Sequence, residues 1–266
     1  MEINYIIGYF LAVLVGISLG LIGSGGSILS VPILVYVMKI EPVLATAYSL
    51  FIVGNTALVG GIQKAREKLV DFKKVVLFGI PTVLTVFITR LFLLPRIPKI
   101  LFFQDYFILK SNLIMIVFAM VMFFASVRMI KPLKNIVVND DDKINYFKIS
   151  LQGIFIGLIT GFVGAGGGFL IVPALLFLAK TPMKMAVGTS LFIVASQSLI
   201  GFMGDLSTIK NIDWKILVVF TSLSVVGFFI GNVVSKKISG EKLKTGFGYF
   251  VLVMAIYIII KELFLN

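Results

Sequence analysis

The sequence of 266 residues contains neither cysteine nor histidine, and it has a single tryptophan. Without cysteine the chain can form no disulfide and no thiolate nucleophile. Without histidine it lacks the usual general base and the most frequent ligand of transition metals. These two absences remove most enzyme mechanisms. We therefore expect a protein that is not an enzyme, has no catalytic residue, binds no metal and needs no cofactor.

Charged residues are also scarce, whereas apolar residues dominate. Only 14% of the residues are charged, 59% are hydrophobic, and the mean hydropathy is +1.10. A soluble domain of this composition would expose a large apolar surface, so the sequence predicts an integral membrane protein. The first apolar run, residues 5–22, shows no cleavage pattern of small residues, and we assign it to the mature fold.

The charges that do occur are mostly basic, with 24 lysines and arginines against 12 acidic residues and a formal net charge of +12. Nearly all of the basic residues lie in short gaps between apolar runs. In such gaps they set the topology of a membrane protein and contact lipid headgroups. We therefore predict the lipid bilayer as a partner and exclude nucleic acid.

Six apolar runs have about the 20 residues that a helix needs to cross a bilayer. These predicted spans are 43–63, 75–94, 109–130, 185–204, 216–235 and 245–265. Two further regions, 5–38 and 150–179, each consist of an apolar run, a glycine cluster and a second, shorter run. We interpret each of them as a broken or re-entrant helical hairpin.

The two hairpins belong to two halves of similar sequence. A shift of 141 residues places the glycine cluster and proline of the first half on those of the second. The same shift places the block SLFIV at 49–53 on the same block at 190–194. A shift of 142 residues then places 70–73 on 212–215, an Asp-aromatic-Lys pattern in both copies. Two blocks thus share one shift, and the third differs from it by a single residue. Such agreement indicates a duplicated unit.

A polar segment separates the halves, so we predict a first membrane repeat at 1–130, a cytoplasmic linker at 131–148 and a second membrane repeat at 149–266. If each half crosses the membrane an odd number of times, 16 of the 24 basic residues lie on one side. This bias marks that side as the cytoplasm and makes the halves inverted. The predicted fold is an all-α integral membrane protein of two inverted repeats. Each repeat is a glycine-broken or re-entrant helical hairpin plus three transmembrane helices, and both termini lie outside.

The glycine clusters are the strongest candidates for a site, because an irregular backbone survives in hydrocarbon only when it is buried in protein or lines a cavity. Glycine permits the positive φ angles that aim successive N–H groups at one point, and a following helix adds its dipole, so an anion fits there. Two inverted copies would meet near the membrane midplane. Close packing would require spaced small residues rather than adjacent ones. We therefore assign substrate binding to Gly23, Ser24, Gly25, Gly26, Ser27, Gly164, Ala165, Gly166, Gly167 and Gly168.

The span after each cluster carries a polar face. Ser49 and Thr56 are seven residues apart and therefore share one helical face, and Ser190 and Gln197 occupy the matching positions in the second half. We predict Ser49, Ser190 and Gln197 as neutral donors that bind an oxyanion without locking it in place. Thr56 and Thr189 are further candidates, with a hydrogen bond to their own helix as an equal alternative.

Four charged residues lie at the ends of predicted spans. Asp71 and Asp213 each precede a span, and we predict that they cap the N-terminus of the following helix. Arg90 is predicted to extend its side chain to the membrane surface, with attraction of anions as the alternative. Asp205 also lies at a span end, where a role in proton coupling is an open alternative.

Small residues repeat at a spacing of four on several spans. This spacing places them on one helical face and lets two helices approach closely, so we predict packing rather than binding for them. The residues concerned are Gly16, Gly20, Thr85, Thr89, Gly157, Gly161, Gly227 and Gly231.

Three features together resemble the sulfite exporter TauE/SafE family of membrane permeases. They are the paired glycine turns, each followed by a proline (Pro32 and Pro173), the SLFIV blocks, and the Asp-aromatic-Lys start of the next span. The resemblance covers nearly the whole chain. It implies a transporter of small sulfur-containing anions, such as sulfite or organosulfonates, in the inner (plasma) membrane of a prokaryote. One departure is Ser27, which stands where the second copy has Gly168.

Three alternatives stand beside this interpretation, and the first two stay open. A passive anion channel, or a carrier of other small organic anions, could use the same site. An intramembrane enzyme or a scaffold would instead need a catalytic constellation or a large soluble region, and the sequence offers neither. The predicted partners are a small anionic substrate and the lipid bilayer, with a homo-oligomer left open.

Overall fold

The computed structural model of the protein describes residues 2–98, 100–103, 106–130, 146–164, 166–177, 181–207, 209, 211–237 and 240–264. A 3₁₀ turn, Gly23–Leu29, joins the first two helices, and π-helical turns at Ile33–Val37 and Thr89–Leu93 follow the second and fourth. The helices are α1 (Glu2–Ile22), α2 (Ser30–Pro32), α3 (Pro42–Arg66), α4 (Phe72–Ile88), α5 (Leu94–Arg96), α6 (Lys110–Ile130), α7 (Tyr146–Val163), α8 (Gly168–Phe177), α9 (Met183–Leu206), α10 (Trp214–Ser235) and α11 (Gly240–Phe264).

The described part of the chain is helical apart from one short β-hairpin. Its strands, β1 (Ile100–Phe103) and β2 (Tyr106–Leu109), are antiparallel, with Ile100 opposite Leu109. The predicted helical fold is therefore confirmed, and the hairpin is an addition that the sequence analysis did not contain. Isoleucine and aromatic residues are frequent in this segment, and such side chains fit the pleated surface of a strand.

Six helical segments among the described residues are long and apolar enough to cross a membrane. They are Ile3–Ile22, Pro42–Arg66, Phe72–Arg96, Lys110–Val127, Met183–Leu206 and Trp214–Ser235. Five of these segments correspond to predicted spans. The sixth is α1, the first arm of the first predicted hairpin, which is therefore also long enough to cross the membrane. The remaining predicted span, 245–265, lies in α11 except for Leu265, which is outside the described residues. Residues 131–145 of the predicted linker also lie outside them.

Aspartates begin two corresponding helices of the two halves. The Asp71 carboxylate accepts a hydrogen bond from the backbone N–H of Lys74 (3.2 Å), and the Asp213 carboxylate accepts one from Ile216 (3.1 Å). Each bond satisfies one of the backbone donors that a helix leaves unpaired in its first turn. The predicted N-caps are therefore confirmed, and they define where α4 and α10 begin.

Helices α1 and α10 pack at backbone contact along glycine faces. A side chain at Gly16 would overlap the backbone of Ser224, and one at Gly227 would overlap the carbonyl of Val13. Ser224 also donates a hydrogen bond to the carbonyl of Ala12 (3.0 Å). The predicted packing role of these glycines is confirmed, because only residues without a side chain allow so close an approach.

The same kind of contact joins α7 to α4. Side chains at Gly157 and Gly161 would collide with Thr82 and Thr85 of α4 and with Thr89 of the π-helical turn that follows it. The first helix of each half thus packs on the helix of the other half that an aspartate caps: α1 lies on α10 and α7 lies on α4. Helices α3 and α9 pack on each other at the centre, and α6 packs on α11. The halves are interleaved rather than placed side by side.

Replacement of Gly227 by leucine should destabilise the protein, because the new side chain would displace the backbone of α1. Overpacking of this kind costs about 1–3 kcal/mol where side chains can adjust, and we expect the upper part of this range against backbone. The measurement is the thermal unfolding midpoint in detergent, read from the peak of folded protein in size-exclusion chromatography. Gly246→Leu is the matched control, since nothing lies within 4 Å of that position. Equal midpoints for the two variants would contradict the packing role.

Candidate functional site

Two glycine turns begin where α1 and α7 end. Gly23 follows α1 with φ of 75°, and Gly164 follows α7 with φ of 74°. The second turn adds Gly166 and Gly167, with φ of 65° and 61°. These angles lie in the left-handed region, which glycine adopts without a steric penalty. The chain therefore changes direction at matching positions of the two halves. Ala165 lies outside the described residues.

The two turns touch each other. The Ser24 hydroxyl donates a hydrogen bond to the carbonyl of Gly168 (3.1 Å), across 144 residues of sequence. A side chain at Gly168 would overlap the backbone carbonyl of Ser24. The structure therefore brings the two predicted clusters into one place, and the absence of a side chain at Gly168 is a condition for their contact.

Side chains of the two central helices surround this contact. From α9, the Gln197 amide donates to the carbonyl of Gly166, and the Ser198 hydroxyl lies beside Gly166, where an added side chain would meet it. From α3, the Ser49 hydroxyl is hydrogen-bonded to that of Ser30. All four side chains are fully buried. The turns are thus held by polar groups without contact to solvent.

Three buried polar atoms of the first turn and of α9 have no hydrogen-bond partner within the described part of the chain. They are the hydroxyl oxygens of Ser27 and Ser198 and the amide oxygen of Gln197. An unpaired buried polar group lowers the stability of the folded protein by about 1–3 kcal/mol. Such groups are therefore rare unless a ligand or a water molecule forms the missing hydrogen bond. The two hydroxyls can each donate one hydrogen bond to a guest. We call Ser24, Ser27, Ser49, Gln197 and Ser198, with the two turns, the turn cluster.

The remaining predicted site residues bond elsewhere. Thr56 donates to the carbonyl of Ile52 (2.8 Å), and Ser190 donates to that of Val187 (2.8 Å), each within its own helix. The Thr189 hydroxyl accepts a hydrogen bond from the backbone N–H of Asp71 (3.0 Å) and thereby fixes the start of α4. Gly25 and Gly26 belong to the 3₁₀ turn.

Sequence reasoning missed Ser198. It lies eight residues after Ser190, which places it about 80° away around the helix and at the edge of the predicted polar face. A wider definition of that face would have included it.

The prediction that Arg90 extends to the membrane surface is wrong. Arg90 is 0% exposed, and its Nη1 donates to the Asp205 carboxylate (2.9 Å) and to the Thr46 hydroxyl (3.1 Å). The helical path continues beyond Arg90 through the π turn and α5, so the residue does not end its span. Gly164 leaves the room that the guanidinium fills, since a side chain there would run into Nη2 of Arg90, and a side chain at Gly204 would meet Cβ of Arg90.

A second ionic contact lies at the opposite end of α3 from Thr46. Lys64 Nζ is 2.9 Å from one carboxylate oxygen of Glu67, and Lys236 Nζ is 3.6 Å from the other. The hydrogen bond from Lys64 holds the pKa of the Glu67 carboxyl below its ordinary value, so the group stays ionised at neutral pH. The central helix pair therefore has ionic contacts near both ends and the turn cluster between them.

Comparison with known proteins gives one family and several relatives. The family model described as Sulfite exporter TauE/SafE matches residues 9–258. A probable membrane transporter protein of Xylella fastidiosa strain 9a5c is 29% identical over 252 residues, covering 92% of this chain and 91% of the relative. One of Bacillus subtilis strain 168 is 26% identical over 262 residues, covering 88% and 89%. One of Methanocaldococcus jannaschii is 38% identical over 113 residues, covering 40% and 42%. No solved structure gives a significant match.

Alanine at Gly168 should weaken the contact between the two turns, because the new methyl group would overlap the Ser24 carbonyl. We expect a loss of about 1–3 kcal/mol, seen as a lower thermal unfolding midpoint in detergent. Gly79→Ala in α4 is the matched control: its nearest neighbour would be 3.7 Å away, an ordinary contact, and alanine favours a helix. If Gly168→Ala unfolded at the wild-type midpoint, the turns would not depend on this close approach.

Proposed function

Because the chain belongs to the sulfite exporter TauE/SafE family, we propose that it carries small sulfur-containing anions, such as sulfite or organosulfonates, across the plasma membrane of a prokaryote. The chain is a multi-pass membrane transporter, as its family and the names of its relatives state. The substrate class is the further step of the proposal. Transport requires no covalent chemistry, and we assign the chain no catalytic residue.

The observation that carries the proposal is the meeting of the two glycine turns. They come from different halves and contact each other through Ser24 and Gly168, and each has a buried hydroxyl without a described partner, that of Ser27 within the first turn and that of Ser198 beside the second. In a membrane transporter, broken helices at such a point hold the substrate. Ser27 and Ser198 would donate hydrogen bonds to oxygens of the anion, and the backbone of the turns would supply further donors.

Helix directions support an inverted relation between the halves. Arg90 bonds both Thr46, near the start of α3, and Asp205, near the end of α9. The start of α3 therefore lies beside the end of α9, so these corresponding helices run in opposite directions. The interleaved contacts of α1 with α10 and of α7 with α4 agree with this relation. We propose that each half is an interrupted hairpin followed by three membrane helices, inverted relative to its counterpart.

The closed surroundings of the turn cluster favour a carrier over a passive channel. Ser24, Ser27, Ser49, Gln197 and Ser198 are all fully buried. An anion reaches them only when helices move apart, and a carrier opens to one side at a time by moving one repeat against the other. Neutral hydroxyl and amide groups suit this cycle, since they bind an oxyanion less tightly than a lysine would and allow its release.

Proteoliposomes loaded with sulfite under anaerobic conditions provide the test. Gly166→Leu should reduce sulfite flux at least tenfold, because the new side chain would displace Ser198 and occupy the place of the anion. Gly246→Leu, with open space around it, should leave the flux unchanged. Both variants are compared at equal amounts of folded protein. Undiminished flux in Gly166→Leu would contradict the proposed site.

Saturation and counterflow distinguish a carrier from a channel. A carrier should show flux that saturates with sulfite concentration and transient accumulation of labelled sulfite against its gradient when the vesicles contain unlabelled sulfite. Flux that rises linearly, without counterflow, would instead indicate a passive channel. Substitution of lactate for sulfite tests other organic anions, and a flux of lactate without a flux of sulfite would contradict the sulfur specificity.

A further inference from the structure

Arg90 has hydrogen-bonding capacity that its observed contacts do not use. A guanidinium carries five N–H donors, and both observed bonds of Arg90 come from Nη1. Its Nε and Nη2 have no hydrogen-bond partner among the residues that the structure describes, although the side chain is 0% exposed. These two nitrogens form one edge of the guanidinium. Such an edge binds two oxygens of a carboxylate, phosphate or similar oxyanion in parallel.

One nitrogen of the unused edge, Nη2, lies against the second glycine turn. A side chain at Gly164 would run into Nη2 of Arg90 and into Thr46. Gly166, two residues further along, is hydrogen-bonded to Gln197 and lies beside Ser198 of the turn cluster. Arg90 therefore lies at the edge of the turn cluster, on the side of Gly164, rather than at a separate place.

The second half has no counterpart to this cation. The 142-residue shift places Arg90 on Asn232, and the 141-residue shift places Thr46 on Val187. Correspondingly, a side chain at Gly23 would meet Val187, where one at Gly164 meets Thr46. The duplicated framework thus carries a positive charge at Arg90 and none at the corresponding position, Asn232. A purely structural ion pair would not need to differ between two copies of one packing arrangement.

We propose that Arg90 is the cationic ligand of the transported anion, which it binds through Nε and Nη2, and that Asp205 neutralises Arg90 when the site is empty. The inference rests on the proposed function and adds the residue that recognises charge. An uncompensated cation in a buried site is costly, so an empty carrier needs a counter-ion. When the anion binds, it shares the guanidinium with Asp205, whose negative charge opposes the anion and favours its release.

The geometry also sets a chemical preference. The Nε–Nη2 edge matches an anion with two oxygens at a fixed spacing, such as sulfite or a sulfonate, whereas chloride offers a single centre. We therefore expect discrimination between oxyanions and halides to depend on Arg90 and to be lost in a lysine variant, which keeps the charge but not the edge.

Binding of sulfite and of chloride to the protein in nanodiscs tests the proposal. Asp205→Asn should bind sulfite about tenfold more tightly than the wild type, because the opposing charge is removed. Arg90→Lys should bind sulfite at least tenfold more weakly and should no longer prefer it over chloride. The double variant Arg90→Gln/Asp205→Asn removes both charges of the pair, and it should lose sulfite binding. Arg96→Gln is the matched control, an exposed arginine on the continuation of the same helix.

The outcomes separate the inference from the proposed function. If the wild type binds and transports sulfite while Arg90→Lys and the double variant bind it as the wild type does, the inference is wrong and the proposed function stands. If the wild type neither binds nor transports sulfite, the proposed function is wrong. Weaker sulfite binding in Asp205→Asn than in the wild type would also overturn the inference, since a merely structural pair predicts that loss. Size-exclusion profiles show whether each variant is folded. If the double variant does not fold, the comparison of Arg90→Lys with the wild type tests the inference.

Discussion

The backbone of a membrane protein has no water to satisfy its polar groups within the hydrocarbon, so any departure from a regular helix must be enclosed by protein. This constraint governs the arrangement of both glycine turns. The two turns cover each other through Ser24 and Gly168, and Gln197 from the central helix α9 bonds the second turn. The glycine faces that bring α1 onto α10 and α7 onto α4 serve the same end, because they hold the ends of α1 and α7 where the turns can meet. Fold and site are therefore one arrangement rather than a scaffold with a site added to it.

Local chemistry explains which features could be predicted from sequence. The caps at Asp71 and Asp213 depend on residues within one turn of helix, and the glycine packing depends on a spacing of four, so both are visible in a short window. The position of the two turns follows from adjacent glycines in an apolar run, an arrangement that close packing alone does not explain.

Other features depend on contacts that a short window does not contain. Arg90 and Asp205 are 115 residues apart in sequence, and their pairing requires α4, α9 and the second turn to be in place. The π turn Thr89–Leu93 and α5 also continue the helical path beyond Arg90, so the residue does not end its span as the apolar run suggested. For Ser49 and Gln197, periodicity predicted one polar face of the central helices, and the structure places them against Ser30 and Gly166; their role as donors to an anion stays a prediction. For Ser190 and Thr56, bonds within the helix compete for the hydroxyl, and periodicity does not reveal which bond prevails.

The exchange of helices between the halves has a consequence for biosynthesis. Helix α1 ends at Ile22, but its packing partner α10 begins only at Trp214. During synthesis the glycine face of α1 therefore stays exposed to lipid until most of the chain has entered the membrane. The face of α4 likewise stays exposed until α7 has been inserted. Neither half can complete its contacts alone. The packed core therefore forms late, when both repeats are in the membrane. In a chain truncated between the repeats, α1 would have no α10 to pack against.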